Sequence, residues 1–366
     1  MDFFEKHLSS TLQAHVPYVP GKQPSLKEEV LKLNTNENPY PPSESVKNAI
    51  FEEIEKLRLY PNPQSLELRT CIAELHNLSQ EQIIIGNGSD DILNLCMRCF
   101  TDHQLKAGML DPSYSLYKSL ASIQGSQILG VPFKDDDFDL PIREIIESNA
   151  NIFFLTSPHA PSGKEFELSS LKQILNSYEG IMVLDEAYVD FAKENAVSLL
   201  NEFDNLIISR SLSKSYSLAG LRVGYAMSSP KIISILDQAR EVYNLDRLAQ
   251  VGAQAVLKDR KYFEFTKKEI IKTRNQFHQE LISWGWRTIP SGTNFLFTQP
   301  VGKANERSAS VAGNLFEFLL SNKILIRYFP ENALTSSYVR ISIGKASEIS
   351  ILIDKIKLWQ DQEIRR

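Results

Sequence analysis

Ile181-Met182-Val183-Leu184-Asp185-Glu186-Ala187-Tyr188 sets an apolar run of strand length directly before a carboxylate. Comparable runs recur at 83–85, 109–110, 152–155, 206–208 and 223–226, each bounded by Gly, Pro, Asp or Ser. Amphipathic helical stretches separate them. Residues 168–178, for example, carry apolar side chains at Leu168, Leu171, Ile174 and Leu175. This alternation predicts an α/β fold with a largely parallel sheet and helices on both faces. In such sheets ligands gather at the carboxyl ends of the strands, so the polar residues that follow each run are the candidate site.

Four such exits carry chemistry. Asp185 leaves the 181–184 run as a carboxylate suited to holding a proton on a ring nitrogen, and Tyr188 follows as a hydrogen-bonding partner. A strand ending in Asp-Glu also fits an NTPase metal site, but that needs a G-x-x-x-x-G-K-[ST] loop, which the sequence lacks. After 206–208 comes Ser211-Leu212-Ser213-Lys214-Ser215-Tyr216-Ser217-Leu218-Ala219-Gly220-Leu221-Arg222. An amine nucleophile stands there among hydroxyls, with a guanidinium further along, so Ser211, Ser213 and Arg222 could cradle a phosphate beside Lys214. Alone, the segment reads equally as a serine-rich turn with an exposed lysine. In Ile85-Gly86-Asn87-Gly88-Ser89-Asp90-Asp91-Ile92, a strand runs through a glycine turn into a helix whose first amides could bind an anion. An ordinary N-cap is the alternative there. Asp91 breaks the G-x-G-x-x-G pattern of a dinucleotide site. Finally, Asp111-Pro112-Ser113-Tyr114 places an aromatic that could stack on a flat ring. One reading covers all four exits: an amine, a carboxylate, a phosphate cradle and a stacking aromatic around one cofactor.

With these residues in hand, the chain resembles the fold-type I (aspartate aminotransferase-like) family of pyridoxal 5'-phosphate enzymes, and within it the histidinol-phosphate aminotransferases. The resemblance runs nearly the whole length, through Leu33-Asn34-Thr35-Asn36-Glu37-Asn38-Pro39-Tyr40-Pro41-Pro42-Ser43, Tyr60-Pro61, the 86–90 turn, residues 185–188 and residues 211–224. It implies a large domain with a mostly parallel seven-stranded sheet over 37–248 and a smaller α+β domain over 249–366. The polar, Pro-rich residues 1–36 form an arm that contributes to the small domain and lid. It implies that Lys214 carries the cofactor as a Schiff base, that Asp185 partners the pyridine nitrogen and that Tyr188 bonds the ring oxygen. Gly88, Ser89, Asp90, Ser211, Ser213 and Arg222 surround the phosphate in this reading, and Tyr114 stacks on the ring. Tyr60 reaches the cofactor of the neighbouring subunit, so a homodimer with shared active sites is expected. Arg340 grips the substrate anion, Arg327 is a second anion ligand, and Tyr18 and Asn38 contact substrate. The implied reaction is transamination of L-histidinol phosphate with 2-oxoglutarate, in histidine biosynthesis. Aromatic aminotransferases and a phosphothreonine decarboxylase of the same fold are the alternatives.

One departure stands out. The family run N-P-N-N-P-T-G appears here as Ser157-Pro158-His159-Ala160-Pro161-Ser162-Gly163, so Ala160 replaces an Asn that bonds the cofactor's ring oxygen. Losing that bond should let the lysine–cofactor linkage keep its proton to higher pH.

Bulk properties set the outer bounds. The 366 residues are 42% apolar and 23% charged, with a net charge of −5, which argues against a nucleic-acid surface. The start at Met1-Asp2-Phe3-Phe4-Glu5-Lys6 lacks a basic region followed by a long apolar one, so no secretory signal and no membrane partner are expected. Cys71, Cys96 and Cys99 are an odd set, which suits a reduced, cytoplasmic setting. Cys96 and Cys99 form a C-x-x-C spacing without a second pair, so buried thiols are expected rather than a metal site.

Overall fold

A computed structural model describes residues 3–365 except 14, 16, 26 and 27. Within it the expected strands come together as one sheet.

Seven strands build that sheet: β1 (Ile83–Asn87), β2 (Ala107–Asp111), β3 (Ile128–Pro132), β4 (Ile152–Thr156), β5 (Ile181–Asp185), β6 (Leu206–Ser211) and β7 (Val223–Ser228). Their order is β1-β7-β6-β5-β4-β2-β3. Only β7 runs antiparallel to its neighbours, β1 and β6; the other pairings are parallel. Parallel strands need crossovers, and helices such as Ser89–Phe100, Leu116–Gln124 and Leu168–Leu175 supply them. The edge strand β3 is not among the runs expected from the sequence. Gly130 and Pro132 interrupt its apolar pattern, and an edge position tolerates both.

Alternation along each strand divides the side chains between two cores. Ile85, Leu155, Leu184 and Ile208 enter one cluster, and Ile84, Phe154, Val183 and Ile207 enter the other. Continuing the second pattern by two residues brings Thr156, Asp185 and Ser209 to the same face at the carboxyl ends, where register pairs Asp185 with both of the others. The period of two therefore delivers the carboxylate to the face that carries the Ser89–Phe100 helix.

After the sheet, helices Arg247–Lys258 and Arg260–Ser283 follow, the second capped by Asp259, whose carboxylate accepts the Tyr262 amide at 3.2 Å. Ala249, Ala253 and Val256 of the first helix pack into the large core. A four-stranded sheet then forms from Arg327–Tyr328, Val339–Ser342, Phe295–Gln299 and Arg287–Thr288, in that order. Leu296, Val339, Ile341, Trp286 and Trp359 fill its own core. Residues 324–328 divide between two sheets. Ile324–Leu325 pairs in parallel with Leu31–Lys32, while Arg327–Tyr328 pairs with Val339–Ser342. Cys96 is buried and Cys99 partly so, both as free thiols, and burial pushes the Cys96 thiol up. Among the described residues no helix is long and apolar enough to cross a membrane, and no cluster of His, Cys, Asp and Glu is arranged for a metal.

Candidate active site

Lys214 follows β6 on a short loop, partly buried, and its Nζ donates to the Thr35 carbonyl at 3.2 Å. Among the described residues no carboxylate bonds it, and Nζ stands 5.8 Å from the centre of the Tyr188 ring. The loop is pinned by Asn38, whose Nδ2 donates to the carbonyls of Lys214 at 3.0 Å and Ser215 at 3.1 Å. Its Oδ1 accepts the Tyr40 amide. The sequence leads one to expect a substrate contact at Asn38. In the structure its amide group is committed to backbone, and the residue holds the lysine loop.

Asp185 is 3% exposed. Tyr117 donates to its Oδ2 at 2.7 Å and the Ala187 amide to its Oδ1 at 3.2 Å. Among the described residues no cation bonds it, and burial pushes its pKa up to about 6. Tyr117 is not singled out by the sequence alone, although it lies only three residues after Tyr114. Its hydroxyl also meets Thr156 Oγ1 at 2.8 Å, so β4, β5 and the Leu116–Gln124 helix together fix the carboxylate.

The turn after β1 meets Arg222, which immediately precedes β7. Arg222 donates to Asp90 Oδ2 at 2.9 Å and Ser213 Oγ at 3.4 Å, and the Ser213 amide donates to Ser211 Oγ at 3.1 Å. Tyr114 donates to the other Asp90 oxygen at 3.2 Å. Close packing here requires glycine. A Cβ on Gly224 would lie 2.2 Å from the Ser89 amide nitrogen, and Gly88 holds φ at +85°. Gly224→Ala is therefore expected to push the 88–89 turn off β7. It should destabilise the protein by about 1–3 kcal/mol and weaken retention of a phosphate ligand. Thermal melting and a phosphate-ligand titration of the variant check this; unchanged values for both would refute it.

Arg340, on Val339–Ser342, lies partly buried with its Nε enclosed and without a partner among the described residues. Nη2 donates to the Asn34 carbonyl at 3.2 Å, and the guanidinium sits 5.1 Å from the Phe295 ring centre. Phe295 in turn meets Tyr188 edge-on at 5.2 Å. Arg327 is the register partner of Arg340 on the adjacent strand. Desolvation, with the nearby Arg327 charge, lowers the Arg340 pKa. Arg327 also donates to the carbonyls of Val19 and Pro20, and Tyr18 beside them meets Tyr114 edge-on at 5.8 Å, so the arm lies across this cleft.

Tyr60 stands apart. It is 77% exposed and stacks on Tyr243 at 4.6 Å. Arg247 holds its backbone, donating to the Tyr60 carbonyl at 2.6 Å. His159 is fully buried, bonded to Ser162 Oγ at 2.7 Å and the Pro112 carbonyl at 3.0 Å. Burial pulls its pKa down to about 3, so it is neutral at pH 7.

Residues 28–356 match the family described as aminotransferase class I and II. The chain belongs to that family. Among curated relatives, it is 42% identical over 340 residues to a histidinol-phosphate aminotransferase of Synechocystis, covering 93% of this chain and 94% of the relative. The corresponding enzyme of Geobacter sulfurreducens is 39% identical over 354 residues, covering 95% and 98%. A crystal structure of histidinol-phosphate aminotransferase from Sinorhizobium meliloti, in complex with pyridoxal-5'-phosphate, superposes with a TM-score of 0.84 at 25% identity, covering 94% and 95%. Aminotransferases of this family use pyridoxal phosphate, and the α/β architecture with its mostly parallel sheet agrees with these structures.

Proposed function

We propose that this aminotransferase converts L-histidinol phosphate and 2-oxoglutarate to imidazole acetol phosphate and glutamate, a step of histidine biosynthesis, with Lys214 as its reactive amine. The observation that carries the substrate class is Arg340: a guanidinium whose enclosed Nε has no partner among the described residues, beside a second guanidinium and one aromatic step from Tyr188. Two adjacent cations favour a doubly charged anion, and a phosphate monoester suits them. The names of the relatives point the same way.

The donor set fits pyridoxal phosphate. Asp185 is a buried carboxylate without a cation among the described residues, and a protonated ring nitrogen would supply one. The Ser89 amide, Ser211, Ser213 and Arg222 would hold its phosphate, and Tyr188 its ring oxygen. When bound, the cofactor supplies an aldehyde that condenses with amines and a ring that accepts electron density released at the substrate's Cα. Lys214 Nζ takes the Cα proton as general base. Asp185 keeps the ring nitrogen protonated, Arg340 and Arg327 orient the substrate anion, and Tyr18 covers the cleft. The same two guanidiniums would serve the carboxylate of the 2-oxo acid in the second half-reaction.

The homodimer belongs to this proposal. Phe51, Ile54, Leu57, Leu59 and Val242 are exposed apolar side chains close in the chain to Tyr60 or to its stacking partner Tyr243, as a partner-covered surface requires. With Tyr60 serving the neighbouring subunit, mixing Tyr60→Ala and Lys214→Ala chains should restore one intact site per heterodimer. Activity no higher than the average of the two parents would refute shared sites.

The substrate is tested by adding L-histidinol phosphate, L-phenylalanine or O-phospho-L-threonine, each without keto acid, to cofactor-loaded protein and following its visible absorption. Rapid bleaching with L-histidinol phosphate alone is expected. Bleaching mainly with L-phenylalanine would move the chain to the aromatic aminotransferases, and release of CO2 from O-phospho-L-threonine would make it a decarboxylase.

A further inference from the structure

Tyr188 is almost fully buried, and its hydroxyl already has one partner: Asn36 Nδ2 donates to it at 2.9 Å. Asn36 is 1% exposed, and its backbone and side chain are bonded throughout. Its amide nitrogen donates to Ser342 Oγ at 2.9 Å, Ser342 Oγ donates back to Asn36 Oδ1 at 2.9 Å, and Asn294 Nδ2 donates to its carbonyl at 2.9 Å. This network assigns the side-chain amide. Turning it over would leave the buried Ser342 proton without an acceptor among the described residues. Asn36 also holds φ at +57°, a left-handed conformation that Asn tolerates better than most residues.

The direction of the Asn36 bond settles that of Tyr188. Its oxygen receives a proton from Asn36, so its own proton is left for an acceptor in the cleft. Ala160 and Phe295, which pack on the ring, offer no polar side-chain atom. A donor onto the phenol oxygen also polarises the O–H and strengthens the bond it gives.

We propose that Asn36 is a positioning residue that fixes Tyr188 as a hydrogen-bond donor to the cofactor's ring oxygen, in a chain where Ala160 supplies no donor of its own. This rests on the pyridoxal phosphate reading. It places the compensation for Ala160 far upstream in the chain, on the segment that joins the arm to Ser342.

The test is a pH titration of the visible absorption of cofactor-loaded, substrate-free protein. A donor to the ring oxygen favours the form in which the lysine linkage has lost its proton, so removing the donor raises the midpoint. Asn36→Asp keeps size and backbone tolerance, but its carboxylate accepts the Tyr188 proton and draws it out of the cleft. The midpoint should rise by about one pH unit, a tenfold change in proton affinity. The added charge would also raise it, so the same substitution is made in a Tyr188→Phe background. Lys214, Arg340 and Tyr114, the titratable groups that face Tyr188, stay unchanged throughout, as does Asp185. The expected result is a rise in the Tyr188 background that is lost in the Tyr188→Phe background. An equal rise in both backgrounds, or none in either, would overturn the proposal. Should Asn36→Asp fail to fold, Asn36→Gly removes the donor without adding charge, and its smaller rise is judged by the same comparison. A wild-type protein with no visible band would instead overturn the pyridoxal phosphate reading itself.

Discussion

Lys214→Ala is expected to abolish turnover, by at least about 10⁴-fold, because one nitrogen serves as both nucleophile and general base. The loop that carries it is held by Asn38 through the carbonyls of Lys214 and Ser215, so the backbone should survive the substitution. The side-chain bond lost is the one from Nζ to the Thr35 carbonyl. Melting temperature should therefore stay close to wild type while the visible band of the lysine-linked cofactor disappears. Retention of kcat within about tenfold, or about 1.4 kcal/mol of barrier, would remove Lys214 from the chemistry.

Asp185→Asn is expected to lower kcat by about 10²–10³-fold, the scale of one close charge pair in a protein interior. The substitution can be accommodated. Tyr117 can turn its proton to Thr156 Oγ1 and accept from the new amide, while the Ala187 amide keeps its acceptor. The same change has an opposite effect on the cofactor-free protein. Asp185 has a folded pKa near 6 against an ordinary 3.8, so the folded state favours the protonated carboxyl. Its ionisation weakens folding progressively as pH rises from about 3.8 to about 6, and the full cost persists above. Cofactor-free Asp185→Asn should therefore gain melting temperature relative to wild type across that window and hold the gain at higher pH. A difference independent of pH would show that Asp185 carries no such cost.

Much of this site is legible in the sequence because each piece is local. An apolar run followed by Asp185, hydroxyls flanking Lys214 and a glycine turn before Ser89 all announce themselves within a few residues. Tyr117 is readable in principle, three residues after Tyr114, but nothing in the sequence says that its hydroxyl reaches a carboxylate 68 positions away. The partners of Asn38 escape a sequence reading for the same reason. Its place in a motif marks it as important, while its partners, the carbonyls of Lys214 and Ser215, are visible only once the chain has folded.

The α/β class, the family resemblance and the residues able to do this chemistry follow from the order of amino acids, since periodicity and short motifs are properties of neighbouring residues. Which partners those residues meet follows only from the folded chain. Folding set Arg340 opposite Arg327, enclosed the Asp185 carboxylate beside Tyr117, and ran the bonds from Ser342 through Asn36 to Tyr188. Hydrogen-bond direction and desolvation depend on atoms brought together from distant segments, and no local pattern encodes them.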